Sequence, residues 1–417
     1  MDCEIITIGN ELVSGRALDL NSWYAAGRLI ASGLGVTRIT SVGDDPEMVS
    51  NALKRAVRDS GFVIITGGLG STDDDMTSEI AAKALERPLE RNNYLFEKIK
   101  GHFERRGSQM NSSLSKMAFM PEGSRILNPK GDACGYSLEK GAVRLYFLPG
   151  VPDQMRYLLD KFVLPEIVGC CDTLPVMRQR ILKLYGLEEP GISEALKELK
   201  GKTGILLGFY PDFPENHITL SLRGENESSV TGELDRAERE IRRLIGEYIF
   251  SSGPESMAEV VGKMLLKGSY TISVAESCTG GLLGHRLTEV PGSSGYFMGG
   301  IVAYSNRAKI DLLKVNPETL DRYGAVSGNT AEEMAKGVRK YFRTDLGISV
   351  TGIAGPGGGT MSKPVGTVYL GIDGEKDTFT GMYRFRGSRE KVKLNASAMA
   401  LDWIRRYIDG YPFLPGI

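Results

Sequence analysis

The sequence predicts an α/β protein: two separate α/β domains with parallel-type sheets, joined by a small α+β domain. Three observations predict it. Short apolar runs such as CEIITI, FVIIT and YTISVA alternate with helical stretches, the pattern of βαβ units and of parallel pairing. At 417 residues the chain is too long for one ordinary domain. Its 52 glycines call for tight loops between elements rather than a simple helical bundle.

Residues 1–168 form the first α/β domain. CEIITI reads as a strand, Asn21–Ala31 as a helix, VTRITSV as a strand, Glu47–Asp59 as a helix and FVIIT as a strand. A hairpin follows in ACGYSL and AVRLYFL, then helical segments across Pro152–Val168. Pro165, Gly169 and the Cys170–Cys171–Asp172 stretch mark the boundary. In residues 172–250, RQRILKLYG, GILLGFY and HITLSLRG read as strands. PGISEALKEL is a helix opened by Pro190, and Ser229–Tyr248 is a charged amphipathic helix. SSGPES at 251–256 reads as a linker by composition. Residues 257–417 open with the helix MAEVVGKMLLKG. The strands YTISVA, GGIVAY, GISVTG and VGTVYLGI then alternate with helices up to a last one at Arg389–Ile408.

Composition narrows the function. Lys and Arg total 51 against 52 Asp and Glu, so the basic surplus that neutralises nucleic-acid phosphates is missing and no nucleic-acid partner is expected. No apolar run reaches the length of a membrane span, and the start carries no basic region ahead of a long apolar one. The cysteines (Cys3, Cys134, Cys170, Cys171, Cys278) show no CxxC spacing, and only His102, His217 and His285 supplement them. Neither a disulfide framework nor a zinc site is indicated, and a cytoplasmic location is expected.

The last domain carries the sharpest chemical signal. In YTISVAESCTGGLLGHRL a strand breaks at Glu276–Ser277–Cys278–Thr279 and passes through Gly280–Gly281 into a helix. Such a junction exposes a side chain at the strand's carboxyl end and offers helix-start N–H groups to an anion or oxyanion. A Ser or Thr at a helix start is usually only a cap. The rest of the domain changes that weighting. GGIVAYSNRAKIDLL sets Tyr304 and Lys309 just after another strand, and ISVTGIAGPGGG sets Thr351 at a strand end before a Gly-rich loop. Ligands of open α/β sheets bind at these carboxyl ends. A desolvated Lys activates a Ser hydroxyl without histidine, so Ser277 with Lys309 is the economical nucleophile in a histidine-poor chain. Cys278 is the rival, and the residues alone do not choose between them. Ser388 and Lys391 also form an SxxK, but Ser388 opens the last helix and reads as its cap; the SDN element of a β-lactamase is missing.

The segments AESCTGG, PGSSGYFMGGIVAYSNRAK, YGAVSGNTAEEMA and VTGIAGPGGG–KPVGTVY resemble the C-terminal domain of the competence/damage-inducible CinA family, over some 160 residues. The resemblance implies a nicotinamide mononucleotide (NMN) deamidase, which needs no cofactor and releases nicotinate mononucleotide and ammonia. It implies Ser277 as nucleophile, Lys309 as base and Tyr304 as support, and it favours Ser277 over Cys278. Thr351, Gly352, Ala354, Gly355 and Pro356 match the family's substrate pocket, and the N–H groups of Cys278, Thr279 and Gly280 suit the oxyanion.

In the first domain, IITIGNELVSG, VGDDPE, VIITGGLGSTDDDMTSE and FLPGVPDQM all fall at strand ends. The loop of Gly67, Gly68 and Gly70 can wrap a phosphate, with Asp45 and Asp75 as further nucleotide-binding candidates. Of the run Asp73–Asp75, Asp75 is the candidate ligand for a bridging divalent metal. Acids at a helix start are also favoured by its dipole alone. These segments resemble the molybdenum-cofactor-biosynthesis fold of the N-terminal half of CinA proteins, and the middle unit resembles the family's KH-like domain. The first half implies a metal-dependent ADP-ribose pyrophosphatase. Two departures weigh against that turnover: the usual GDEL reads Gly9–Asn10–Glu11–Leu12, and the usual GGLGPTPDD reads GGLGSTDDD. A homodimer is the expected assembly.

The middle unit's one GxxG, Gly201–Lys202–Thr203–Gly204, lacks basic company for nucleic acid, and Leu196 stands where a P-loop needs Gly. The alternative to an enzyme is a regulatory protein that binds a nucleotide or pterin without turnover.

Overall fold

The structure is a computed structural model that describes residues 2–104, 111–130, 134–171, 174–199 and 204–415. The chain forms two compact units, Met1–Arg178 with Leu222–Gly232, and Gln179–Ser221 with Glu233–Ile417.

In the first unit the strands are β1 (Asp2–Ile8), β2 (Gly35–Val42), β3 (Phe62–Thr66), β4 (Leu89–Arg91), β5 (Phe119–Pro121), β6 (Arg125–Ile126), β7 (Tyr136–Lys140) and β8 (Val143–Leu148). The main sheet runs β2-β1-β3-β8-β7-β6. Its first four strands are parallel, whereas β7 pairs antiparallel with both β8 and β6. Burial on both faces explains the unbroken apolar runs. Ile5 and Ile64 pack on one side with Leu29, Met155 and Leu158, while Ile6, Val63 and Ile65 pack on the other with Val49, Leu53 and Ile80. The helices Leu20–Ala31 and Pro152–Leu158 therefore cover one face, and Pro46–Asp59 and Thr77–Ala84 the other.

The next four strands, β9 (Val176–Leu184), β10 (Leu206–Asp212), β11 (Glu215–Gly224) and β12 (Ile249–Ser251), form a sheet in the order β10-β11-β9-β12, accompanied by the helix Glu227–Ile245. Of the GxxG tetrapeptide, Gly201, Lys202 and Thr203 lie outside the described residues, as does Asp172 of the predicted boundary.

The stretch expected to be a linker at 251–256 is a tight connection instead. Ser251 ends β12, its hydroxyl donates to Glu255 at 3.0 Å, and Gly253 N–H donates back to it at 3.0 Å. Ser256 then caps the helix Met257–Gly268 in a reciprocal capping box with Glu259. Gly, Pro and Ser suggested flexibility, but here the same residues make a turn and a cap.

The last sheet holds β13 (Ile272–Glu276), β14 (Phe297–Val302), β15 (Leu346–Gly352), β16 (Thr367–Asp373) and β17 (Thr378–Arg384), in the order β14-β13-β15-β16-β17. β13 is parallel to β14 and β15, while β16 is antiparallel to β15 and β17. Both large sheets thus mix parallel and antiparallel strands. The edge strand β17, TFTGMYR, has only Tyr383 buried and so lacked the apolar signal of the others. The closing helix Arg389–Asp409 buries Asp402 with both neighbouring cations, Arg405 at 2.7 Å and Arg406 at 2.7 Å. Among the described residues no helix is long and apolar enough to cross a membrane.

Candidate active site

Ser277 directly follows β13. Its N–H donates to Val350 O on β15 at 2.9 Å, and Ala303 N–H, just past β14, donates to Glu276 O at 2.8 Å. The carboxyl ends of three parallel strands are therefore tied together where the expected nucleophile sits. Gly280 (φ 63°) and Gly281 (φ 96°) take the left-handed backbone that turns the chain into the helix Leu282–Thr288.

Lys309 reaches the same point from the helix Asn306–Leu313, which Ser305 caps through Ala308 N–H at 3.1 Å. Its Nζ lies 3.0 Å from Ser277 Oγ and donates to Ala303 O at 2.7 Å. Lys309 is 1% exposed and Ser277 8%. Burial holds the amine below the usual lysine range, with Cys278 a weaker opposing influence. Burial also pushes the Cys278 thiol up to about 12, so the rival nucleophile lacks a thiolate at neutral pH.

The helix start does not offer its N–H groups freely, as the sequence had suggested. The buried Glu276 carboxylate accepts from Gly281 at 3.0 Å, Leu283 at 3.1 Å and Gly284 at 2.8 Å. Gly280 N–H turns back onto Ser277 O at 3.2 Å. Of the three expected oxyanion donors, Cys278 and Thr279 remain; among the described residues their N–H groups meet no backbone acceptor.

Tyr304 stands differently from its expected role. Its side chain is 62% exposed, and its hydroxyl accepts from Arg389 Nη2 at 3.0 Å. Only its main-chain oxygen faces Lys309 Nζ, at 3.5 Å. Arg389 also donates to Gly355 O at 2.7 Å, which draws the Gly-rich loop and Tyr304 together. Sequence reasoning missed Arg389. The available signal was a cation at the first helical position after the Ser388 cap, where the helix dipole disfavours it. Lys393, one turn on, has its Nζ 3.8 Å from where a Cβ on Gly280 would lie. Ser388 itself caps the helix through Lys391 N–H at 3.3 Å, as its sequence predicts.

Among the expected pocket residues, Thr351 is buried and its hydroxyl donates to Ala325 O at 2.7 Å, so it braces a neighbouring loop. Gly352 and Ala354 lie in the sheet end and core, and Gly352 has no room for a Cβ beside Thr367 O. Pro356 is exposed with the glycines that follow.

In the first unit, Gly67, Gly68, Gly70 and Asp75 line a cleft of about 540 Å³ with Glu11, Asp44 and Asp74. A Cβ on Gly67 (φ 109°) would come 2.1 Å from Ile8 O, so only glycine fits there. An adjoining cavity of about 230 Å³ shares Gly68, Gly70 and Asp75 and is walled by Leu89, Leu95, Phe119 and Tyr136. Asp45 does not line either cavity; it caps Pro46–Asp59 through Met48 N–H at 2.9 Å.

The acids do not assemble into a divalent-cation cage. Asp75 Oδ2 accepts from Thr72 N–H at 2.9 Å and Thr72 Oγ1 at 2.6 Å. Asp44 accepts Asn10 N–H at 2.9 Å, and Asn10 Oδ1 accepts Asp44 N–H at 3.2 Å. Burial, and then the nearby Asp74, Glu11 and Asp75, raise the pKa of Asp44. Among the described residues no three His, Cys, Asp or Glu side chains converge as ligands.

Three family descriptions match in series: "Probable molybdopterin binding domain" over residues 4–168, "Damage-inducible protein CinA KH domain" over 179–251, and "CinA C-terminal domain" over 254–408. A CinA-like protein of Desulfotalea psychrophila is 38% identical over 409 residues, 98% of this chain and 99% of that one. Another, of Dictyoglomus thermophilum, is 40% identical over 408 residues, 97% and 99% of the two chains. The crystal structure of the competence/damage inducible protein CihA from Agrobacterium tumefaciens is 36% identical, with a TM-score of 0.36, over 38% of this chain and 99% of that one. With relatives of this identity aligned end to end, the chain belongs to the CinA family.

Proposed function

We propose that the C-terminal domain is an amidohydrolase that converts NMN to nicotinate mononucleotide and ammonia. The observation that carries this reading is the 3.0 Å approach of a buried lysine amine to Ser277 Oγ, with burial holding the amine toward its neutral form. In the neutral state Nζ accepts the Ser277 proton, and Oγ attacks the carboxamide carbon. The N–H groups of Cys278 and Thr279 receive the developing oxyanion. Collapse breaks the C–N bond, Lys309 returns the proton to the leaving nitrogen, and ammonia departs from a nicotinoyl ester. Water, deprotonated by the same amine, then hydrolyses that ester and restores Ser277. Arg389 and Lys393 supply cationic charge at the rim, which suits the 5′-phosphate of a mononucleotide.

The family resemblance supports NMN as the substrate, and the Ser277–Lys309 geometry supports amide hydrolysis as the reaction. Incubating the purified chain with NMN and following ammonia and nicotinate mononucleotide tests both. Stoichiometric appearance of the two is expected. An inert protein would leave the reading of a nucleotide- or pterin-binding regulator.

For the N-terminal cleft we infer nucleotide binding, with ADP-ribose as the class of ligand. The glycine loop and the apolar side cavity favour a diphosphate with an attached ring, and the self-engaged carboxylates favour binding over metal-dependent cleavage. Calorimetric titration with ADP-ribose, in chelator and in magnesium, is expected to show equal affinity and no AMP. AMP formed only with the metal present would overturn this.

A further inference from the structure

We infer that Glu276 is a positioning residue for the Ser277–Lys309 pair, an inference that rests on the amidohydrolase reading. Glu276 is the last residue of β13, 1% exposed, and its charge is buried beside the nucleophile. A buried carboxylate is costly unless several donors meet it. Three do: the N–H groups of Gly281 and Leu283 on Oε2 and of Gly284 on Oε1, at 2.8 to 3.1 Å. They span the turn that carries Ser277 and the first turn of the helix behind it.

The main chain of the same residue ties in the base. Glu276 O accepts Ala303 N–H at 2.8 Å, and Ala303 O accepts Lys309 Nζ at 2.7 Å. The nucleophile is thus the next residue in the chain after Glu276, and the lysine is two hydrogen bonds from it through Ala303. By drawing the N–H groups of Gly281, Leu283 and Gly284 to itself, the carboxylate also removes a competing anion site from the helix start. Cys278 and Thr279 are left to face the reacting carbonyl. The residue touches no substrate, so its effect is on the placing of reacting groups.

The decisive substitution is Glu276→Gln, which keeps length and shape. Oε2 holds two N–H groups and Oε1 one, so either orientation of the amide sets its NH₂ against at least one donor. Displacement of a reacting group by roughly an ångström costs on the order of 10²-fold, so kcat for NMN is expected to fall about 10–100-fold with KM nearly unchanged. A fluorophosphonate reads the same geometry without any amide substrate. Ser277 Oγ bonds to phosphorus, fluoride leaves, and the hydroxyl proton passes to Lys309.

Slower labelling of Ser277 in Glu276→Gln, with an unchanged circular dichroism spectrum, is the expected result. Labelling at the parent's rate overturns the inference for Glu276. A parent that labels at Ser277 but spares NMN overturns the substrate reading and leaves the inference standing. A parent that does not label at all overturns both. Should Glu276→Gln fail to fold, Glu276→Asp decides, because it keeps the charge but is one methylene short. Labelling between parent and zero supports the role, and labelling at the parent's rate contradicts it.

Discussion

Lys309 Nζ and Ser277 Oγ stand 3.0 Å apart although 32 residues separate them in the chain. Ala303 O fixes the amine from its other side at 2.7 Å. A lysine in that position is useful only when neutral, and its burial supplies the means.

The pH dependence follows directly. Only the deprotonated amine can take the Ser277 proton, so kcat/KM for NMN is expected to rise with pH through the lowered pKa of Lys309. It should level off below the ordinary lysine value of about 10.4. The same shift has a stability sign. The folded pKa lies below the unfolded one, so the unfolded chain binds more protons between them. Stability from this group is therefore full above the unfolded pKa and is lost as pH falls through the folded one. Melting curves of the parent and Lys309→Met across that window check it: the parent should gain on the variant as pH rises.

Arg389 is expected to act on binding. Arg389→Ala removes both the Tyr304 and the Gly355 contacts and one rim cation, so KM for NMN should rise about tenfold or more, with a smaller change in kcat. Turnover of nicotinamide riboside, which lacks the phosphate, should fall much less, by only what the Tyr304 and Gly355 contacts contribute. Steady-state kinetics with the two substrates decides this.

Tyr304→Phe should be mild. The hydroxyl accepts from Arg389 and does not reach the amine, so kcat is expected to stay within about fivefold of the parent. A loss near that of Lys309→Met would show that the tyrosine relays the proton.

Asp402 holds two buried guanidinium groups in the last helix. Asp402→Asn removes the carboxylate both guanidiniums share, although Arg406 keeps Glu247 at 3.1 Å, and should cost about 3 kcal/mol, read by denaturant unfolding. Ser277 and Lys309 lie on other elements, and Arg389 and Lys393 stand in the first turns of the helix, well before Asp402, so activity per folded molecule should persist.

Much of this was legible in the sequence, for identifiable reasons. The strands β1, β3 and β13 announce themselves because both their faces are buried, so apolar residues occupy both phases of CEIITI, FVIIT and the core of YTISVA, with only Glu4, Thr7, Thr66 and Ser273 as buried polar exceptions. Ser277 and Lys309 are legible because strand ends of an α/β sheet converge, and the pairing of β13 with β14 and β15 brings theirs together. Less legible were residues whose role depends on what faces them. Asp45 and Asp75 look like ligands in sequence, but each is taken by a local N–H, from Met48 and Thr72. Glu276 looks like any strand-end acid until the helix start behind it is seen to need an acceptor. Arg389 lies 112 residues beyond Ser277, and only the packing of the last helix brings it to Tyr304.

The measurement that tests the central claim most directly is ammonia release from NMN by the parent, Ser277→Ala and Cys278→Ala side by side. Loss of about 10³-fold or more in Ser277→Ala, with Cys278→Ala close to the parent, is the predicted result. Activity that survives in Ser277→Ala and disappears in Cys278→Ala would contradict it.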